Sequence, residues 1–180
     1  MKSLQLCSSL LTLVVAAGLA GCSTAPKAPE VASNVRTALT QAGLRDITAS
    51  QDRDKGVVTL TGHVPSENDK LRAESIARSV AGQQVVANQI EVLPPGVESD
   101  AKKVNAALDK GVAANMDAAL IQYNLHDVKY TVKNHVVTLT GDVDSQEVRS
   151  KAEAIASGVP NVQQVVNELQ LRVQKATSTR

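Results

Sequence analysis

The hexapeptide Val57-Val58-Thr59-Leu60-Thr61-Gly62 occurs a second time, 79 positions later, as Val136-Val137-Thr138-Leu139-Thr140-Gly141. Six consecutive identities at one spacing indicate an internal duplication rather than chance. The same shift aligns further identical residues without a gap: Ser66 with Ser145, Ala73 with Ala152, and Asn88 with Asn167. The sequence therefore predicts two tandem copies of one domain.

Each copy has the pattern helix, strand, strand, helix, strand. In the first copy, apolar residues at helical spacing from Val31 to Ala42 predict a helix that ends at Gly43. Alternating apolar residues then predict a hairpin, and Ser66 is expected to cap a second helix. The predicted apolar stripe of that helix comprises Leu71, Ala73, Ile76, Ala77 and Val80. A closing strand is predicted over residues 86–92.

The order αββαβ predicts an α+β fold, a two-layer sandwich with both helices on one face of a three-stranded mixed sheet. The predicted domains cover residues 31–93 and 100–173, with a linker at 94–99 that contains Pro94 and Pro95. Residues 174–180 are predicted to be a disordered tail. Because a unit of this size is marginally stable alone, we expect the two copies to touch.

The second copy carries an insertion, residues 99–111, that has no counterpart in the first. We expect it to lengthen the first helix of the second domain. The apolar stripe is predicted to continue through Val104, Ala107, Leu108 and Val112.

The N-terminus has the features of a secretory signal peptide at residues 1–21. Lys2 precedes a short apolar run at 10–17, which is followed by Leu19-Ala20-Gly21-Cys22. This tetrapeptide resembles the lipobox of bacterial lipoproteins, which implies cleavage before Cys22 and acylation of that residue. The alternative is a secreted protein in which Cys22 is incidental. Residues 22–30 are then expected to form an extended tether.

Acylation at Cys22 would anchor the chain stably, since two or more acyl chains exceed the threshold for lasting membrane attachment. Ser23 follows the cysteine, where an aspartate would resemble an inner-membrane retention signal. We therefore expect the protein to be anchored at the periplasmic face of the outer membrane.

Composition excludes several classes of function. The chain has 19 Lys+Arg and 18 Asp+Glu, and loss of Lys2 with the signal peptide leaves the mature protein neutral, so no nucleic-acid partner is expected. With two cysteines, three histidines and 1% aromatic residues, we expect no metal, no cofactor and no stacking site. His63, His126 and His135 fall in turns, and the acid pair Asp142 and Asp144 has no accompanying nucleophile. The chain is not expected to be an enzyme.

The repeated Val-Val-Thr-Leu-Thr-Gly, the Ser-capped helix with Ala-Glu-x-Ile-Ala and the closing Val-x-Asn-x-Ile/Leu strand resemble the BON domain. With the lipobox, the whole arrangement resembles the dual-BON envelope lipoproteins of bacteria. The resemblance implies a non-enzymatic periplasmic protein that supports envelope integrity or osmotic-stress tolerance. It also makes Gly62 and Gly141 hallmarks of the family, and we interpret both as structural, because a sharp turn after a strand disfavours a Cβ.

In some BON proteins the first helix of the second domain binds anionic phospholipid. Here the candidates on that helix are Lys102, Lys103 and Lys110, each able to contribute about 1 kcal/mol near an anionic surface. The alternative is a solvated helix face, with Asp100 and Asp109 partly cancelling the lysines. No tryptophan is present to insert among lipid chains, which leaves the weaker candidates Met116, Ile121 and Tyr123. The second hypothesis for function is a protein adaptor that docks on an envelope protein complex without binding lipid.

Overall fold

The computed structural model describes residues 27–172 and has two successive αββαβ units in that range. The first unit contains α1 (Ala32–Gln41), β1 (Ile47–Asp52), β2 (Val57–Val64), α2 (Glu67–Ala81), β3 (Val85–Asn88) and β4 (Glu91–Val92). The second contains α3 (Glu98–Gln122), β5 (Lys129–Lys133), β6 (Val136–Thr140), β7 (Asp142–Val143), α4 (Gln146–Ser157), β8 (Gln164–Asn167) and β9 (Gln170–Leu171). The predicted signal peptide, Cys22 and the predicted tail lie outside the described residues.

Both sheets have the mixed topology that the sequence predicts. In the first unit β1 runs antiparallel to β2, and β2 runs parallel to β3 and β4. In the second, β5 is antiparallel to β6 and β6 is parallel to β8, while β7 pairs with β9. The α+β fold, with α2 and α4 as the crossovers of the parallel pairs, is therefore confirmed.

Each unit has its own core between its helices and one face of its sheet. In β2 and β6 alternate residues point to that face, which places Val58, Leu60, Val137 and Leu139 in the two cores. Ser66 and Ser145 accept hydrogen bonds from the backbone amides of Asp69 and Val148, as expected of N-caps. No helix among residues 27–172 is both long and apolar enough to cross a bilayer.

The apolar stripe predicted for α2 is wrong at Leu71, whose side chain is 56% exposed. The buried row consists of Lys70, Ala73, Ala77 and Ala81, which follow one another at spacings of three or four residues. Leu71 lies about 100° around the helix from Lys70 and therefore outside that row. Lys70 is only 6% exposed, and its ammonium group donates to the side chain of Gln163 in the second unit at 3.1 Å.

The closing strand, predicted as continuous over 86–92, is interrupted after Asn88. The side-chain oxygen of Asn88 accepts from the amide of Ile90 at 3.4 Å, and its amide nitrogen donates to Glu74 of α2 at 2.9 Å. Asn167 makes the equivalent contacts to Leu169 and Glu153. The repeated asparagine therefore bends the strand and ties it to the crossover helix in both units.

Residues 27–30, predicted as part of an extended tether, form no helix or strand and pack along the β1–β2 hairpin. The amide of Ala28 donates to the carbonyl of Arg53 at 2.8 Å, and the Arg53 side chain returns a bond to the carbonyl of Ala28 at 2.7 Å. The Gln51 and Gln84 side chains both donate to the carbonyl of Pro29. Polar residues of the hairpin and of the connection between α2 and β3 thus satisfy the backbone of this segment.

The two units contact each other through the faces of their sheets that carry no helix. A small apolar cluster there consists of Val57, Ala87, Val136 and Val166. Under the 79-residue shift Val57 corresponds to Val136 and Ala87 to Val166, so each unit contributes the same two positions. The expectation that the copies touch is confirmed, and the contact has the self-complementary character of a two-fold interface.

Polar contacts complete this inter-unit contact. Gln164 fills the open edge of β3 because its side chain donates to the Val86 carbonyl at 2.6 Å and accepts from the Asn88 amide at 2.9 Å. It therefore imitates a neighbouring strand and satisfies backbone groups that an edge leaves open. The Lys55–Glu168 ion pair adds a further link, and Glu168 raises the pKa of Lys55 by accepting its hydrogen bond.

Candidate functional site

The insertion in the second unit forms the N-terminal part of α3, which we call the extension (residues 98–111). The whole helix has 25 residues and is therefore about 37 Å long. Its buried residues are Val112, Met116 and Leu120, all beyond the extension. The extension therefore projects past the core of its own unit and exposes most of its surface.

Lys102, Lys103 and Lys110 all lie on the extension and are exposed. We call these three residues the lysine face. Lys103 and Lys110 are seven residues apart and project from nearly the same side of the helix, while Lys102 lies about 80° from Lys110. The structure thus places the three predicted residues on one broad stripe of α3.

The two acidic neighbours behave differently. Asp100 pairs with Lys103 at 3.0 Å, but both side chains are largely exposed, and such pairs contribute little. The carboxylate of Asp109 accepts from the backbone amides of Asn134 and His135 at 2.8 and 2.9 Å. Asp109 therefore fastens the extension to the β5–β6 turn, a role that the sequence did not suggest.

The apolar stripe predicted for the extension is wrong at Val104 and Ala107, which are exposed. Val104 is 56% exposed, and Val97, directly before the helix, is 52% exposed. This part of the helix lies outside the core of its own unit. Of its apolar residues only Ala101 and Leu108 are partly covered before the core begins at Val112, and the Asn105 side chain donates to Glu91 of the first unit at 3.3 Å. The extension consequently presents one exposed valine, Val104, which lies about 100° around the helix from Lys103.

A groove of about 560 Å³ runs between α3 and α4 in the second unit. Its apolar lining comes mainly from Ala118, Ala119, Ala154, Ile155, Val159 and Pro160. At its rim, the ammonium group of Lys151 lies 5.5 Å from the centre of the Tyr123 ring. This distance is within the range of a cation–π contact.

The first unit differs at the corresponding place. There Arg72, the counterpart of Lys151, donates to the carbonyl of Ala42 at 2.9 Å and ties α2 to the end of α1. In the second unit Tyr123 occupies the position of Ala42, and Gly158 occupies that of Ser79. The bond between the helices is thus replaced by an aromatic contact at the rim of the groove.

Tyr130 holds the other side of α3 to β5. Its hydroxyl lies 2.8 Å from the carbonyl oxygen of Ala113 and within hydrogen-bonding distance of the carboxylate of Asp117, so its single proton is shared between these two acceptors. Burial, followed by the hydrogen bond and charge of Asp117, raises the pKa of Tyr130 to about 12. Tyr130 therefore lies at the rim of the core, while Tyr123 faces the groove.

Gly62 and Gly141 occupy the same place in both units, with φ of 121° and 124°. A Cβ on Gly62 would lie 2.1 Å from the carbonyl oxygen of Asp46, and one on Gly141 would lie 2.5 Å from that of Asp127. Both the backbone conformation and the close approach of the neighbouring chain therefore require glycine. The two residues are far more constrained than a turn alone would demand.

The remaining polar candidates do not converge on one site. His63 and His126 are exposed, and the ring of His126 bonds to Asn124 at 2.7 Å. Asp144 pairs with Arg172 at 3.1 Å, whereas Asp142 points to solvent. Among residues 27–172 no three His, Cys, Asp or Glu side chains are grouped to hold a metal ion.

The model of the BON domain family matches residues 28–94 and, a second time, residues 101–173. The chain belongs to the BON domain family. Osmotically-inducible protein Y of Escherichia coli (strain K12) is 32% identical over 125 residues, an alignment that covers 66% of this chain and 59% of that protein. An uncharacterized protein in the gshII 5′ region of Anaplasma centrale is 27% identical over 124 residues, covering 67% and 80% of the two chains.

Two solved structures are similar over 78% of this chain. One is CdsD, a structural protein of the type III secretion system of Chlamydia trachomatis, with 12% identity, a TM-score of 0.33 and coverage of 61% of that chain. The other is the C-terminal domain of CdsD, with 12% identity, a TM-score of 0.32 and coverage of 65%.

Proposed function

We propose that this chain is a non-enzymatic lipoprotein of the bacterial envelope whose second BON domain binds anionic phospholipid through the lysine face. The observation that carries the proposal is the extension of α3, which presents Lys102, Lys103 and Lys110 together with the exposed Val104. A basic helix with apolar side chains at its border is suited to the surface of an anionic bilayer. Similarity to osmotically-inducible protein Y supports a role in envelope integrity under osmotic stress.

Acylation of Cys22 would place the domains close to the membrane. Because the backbone of Ala28 is bonded to the hairpin, five residues, 23–27, lie between Cys22 and this first fixed point of the fold. The six Cα–Cα steps from Cys22 to Ala28 span at most about 20–22 Å. The lysine face would therefore meet a bilayer at high local concentration, so a modest affinity for lipid is sufficient.

The expected affinity follows from the charges. Each lysine near an anionic surface contributes about 1 kcal/mol, so three contribute about a 100-fold increase in binding. The Asp100–Lys103 pair is exposed and does not prevent Lys103 from meeting a headgroup. Since the attraction is electrostatic, it should weaken as salt shortens the screening length.

The test uses a form that lacks residues 1–21 and carries Cys22→Ser, so that no acyl chain contributes. Co-sedimentation is measured with phosphatidylglycerol vesicles and with phosphatidylcholine vesicles, at low and high salt. We expect binding to the anionic vesicles alone, weakened by salt and lost in a Lys102→Glu/Lys103→Glu/Lys110→Glu variant. A matched control reverses three other exposed cations, Arg45, Lys129 and Lys133, and should retain most of the binding.

Equal loss in both variants would show that net charge, not the lysine face, determines binding. If neither kind of vesicle binds the protein, the lipid proposal is wrong, and the adaptor hypothesis takes its place.

A further inference from the structure

We propose that the groove between α3 and α4 binds one acyl chain of an anionic phospholipid. This site is distinct from the lysine face, and it would make the protein a carrier of single lipid molecules in addition to a surface-docking module. The inference rests on the proposed function for the choice of lipid class. The groove itself is formed by residues other than those of the lysine face.

The size and lining of the groove suit an apolar chain. Its volume of about 560 Å³ falls within the ordinary range of about 300–1,000 Å³ for small-molecule sites. Apolar atoms predominate because alanine, isoleucine, valine and proline side chains form most of the lining. Such a surface, left open to water, favours an apolar occupant.

The polar groups at the rim suit an anionic head. Lys151 is the single charged residue that lines the groove, and its ammonium group already lies beside the Tyr123 ring. Asn115 and Gln122 supply neutral amides able to bond to ester or hydroxyl groups. One cation, two amides and an apolar lining match an amphiphile with one negative charge at its head.

The exposed start of α3 and the groove lie along one side of this helix. A row of residues at spacings of three or four runs along one side of α3: Val97, Ala101, Val104, Leu108, Gly111, Asn115, Ala118 and Gln122. The exposed Val97 and Val104 begin this row, and residues that line the groove end it. This side is about 110° around α3 from Lys103, so a lipid chain would reach the groove past Val104 and not along the lysine face.

The test measures binding of monomeric dihexanoyl phosphatidylglycerol, with dihexanoyl phosphatidylcholine as the neutral comparison. The protein again lacks residues 1–21 and carries Cys22→Ser. Ala154→Phe fills the groove from an exposed position, so the fold should be retained. Its matched control is Ser75→Phe, the corresponding exposed position in the first unit.

We expect Ala154→Phe to weaken binding of the anionic lipid at least tenfold and Ser75→Phe to leave it unchanged. Lys151→Gln should reduce the preference for the anionic over the neutral lipid without abolishing binding of either. Equal affinity in Ala154→Phe and Ser75→Phe would overturn the inference, as would failure of the unsubstituted protein to bind the monomeric lipid.

The lysine-face variant separates this inference from the proposed function. It should bind the monomeric lipid normally while failing to sediment with vesicles, and Ala154→Phe should do the reverse. If the lysine-face variant loses the monomeric lipid as strongly as Ala154→Phe does, the acyl chain does not occupy a separate groove. If the unsubstituted protein binds the monomeric lipid but does not bind vesicles, the proposed function is refuted and the groove remains the lipid site.

Discussion

Replacing Gly62 by alanine should be among the most damaging single changes that this fold can suffer. The residue has a φ of 121°, and holding an alanine in so sparsely populated a conformation costs about 1–3 kcal/mol. In addition, the new Cβ would lie 2.1 Å from the Asp46 oxygen, so β1 would have to move away from β2. That movement would disturb the Ile47–Gly62 pair and its hydrogen bonding, at about 1 kcal/mol per bond lost. We expect the free energy of unfolding to fall by about 3–5 kcal/mol, which exceeds the loss of about 0.5–3 kcal/mol that most single substitutions cause.

The assay is urea unfolding followed by far-ultraviolet circular dichroism. Gly141→Ala, where the Cβ would lie 2.5 Å from the Asp127 oxygen, should show a loss of similar size. The matched control is Gly111→Ala, because Gly111 is in a helix and no atom beyond its chain neighbours and its own helix backbone would lie within 4 Å of its Cβ. That change should raise stability by about 1 kcal/mol. A Gly62→Ala protein within about 1 kcal/mol of the unsubstituted one would show that β1 and β2 do not approach as described.

Three further predictions concern single side chains. In a Tyr123→Phe protein Tyr130 is the one remaining tyrosine, and absorbance titration should give its pKa as about 12. Adding Asp117→Asn should lower this pKa. Because folding raises the pKa of Tyr130, its contribution to the free energy of unfolding is present below pH 10 and is lost as pH rises towards 12. Gln164→Ala removes two bonds to the edge of β3 and should lower the free energy of unfolding by about 1–3 kcal/mol, measured by urea unfolding, whereas an unchanged midpoint would contradict the edge contact. Burial lowers the pKa of Lys70, so the free-energy penalty for its charge is present at neutral pH and is relieved as pH rises from the lowered value towards the ordinary one. At alkaline pH the free energy of unfolding of the unsubstituted protein should therefore rise relative to that of Lys70→Met, and a constant difference would contradict the lowered pKa.

The fold follows from the sequence because the duplication supplies each pattern twice. The strand pattern at 57–62 is ambiguous alone. It recurs in the second copy together with the same capped helix and the same closing strand, which contains Asn88 in one copy and Asn167 in the other, and this combination indicates one order of helices and strands. The burial of Lys70 and the exposure of Leu71 could not be inferred in this way. A leucine is ordinarily the better core residue than a lysine, and Lys70 is buried because the second unit supplies Gln163 as its partner.

The candidate site was only partly accessible to sequence reasoning. The exposed positions of the lysine face follow from helical spacing, since charged residues avoid a buried stripe. The groove depends on how far apart α3 and α4 lie, which no local pattern encodes. The comparison of the two copies nevertheless shows a difference at this place. Arg72, Ala42 and Ser79 of the first unit correspond to Lys151, Tyr123 and Gly158 of the second.

The most direct test of the central proposal is to ask which part of the surface meets the bilayer. Without residues 1–21 and with Cys22→Ser the protein has no cysteine, so a single cysteine can carry an environment-sensitive fluorophore. Val104→Cys reports on the extension and Leu71→Cys on the first unit, and both native side chains are 56% exposed. On addition of phosphatidylglycerol vesicles, we predict a blue shift for the label at position 104 and none for the label at 71. Equal shifts at the two positions, or a shift at 71 alone, would contradict the proposal that the α3 extension binds the membrane.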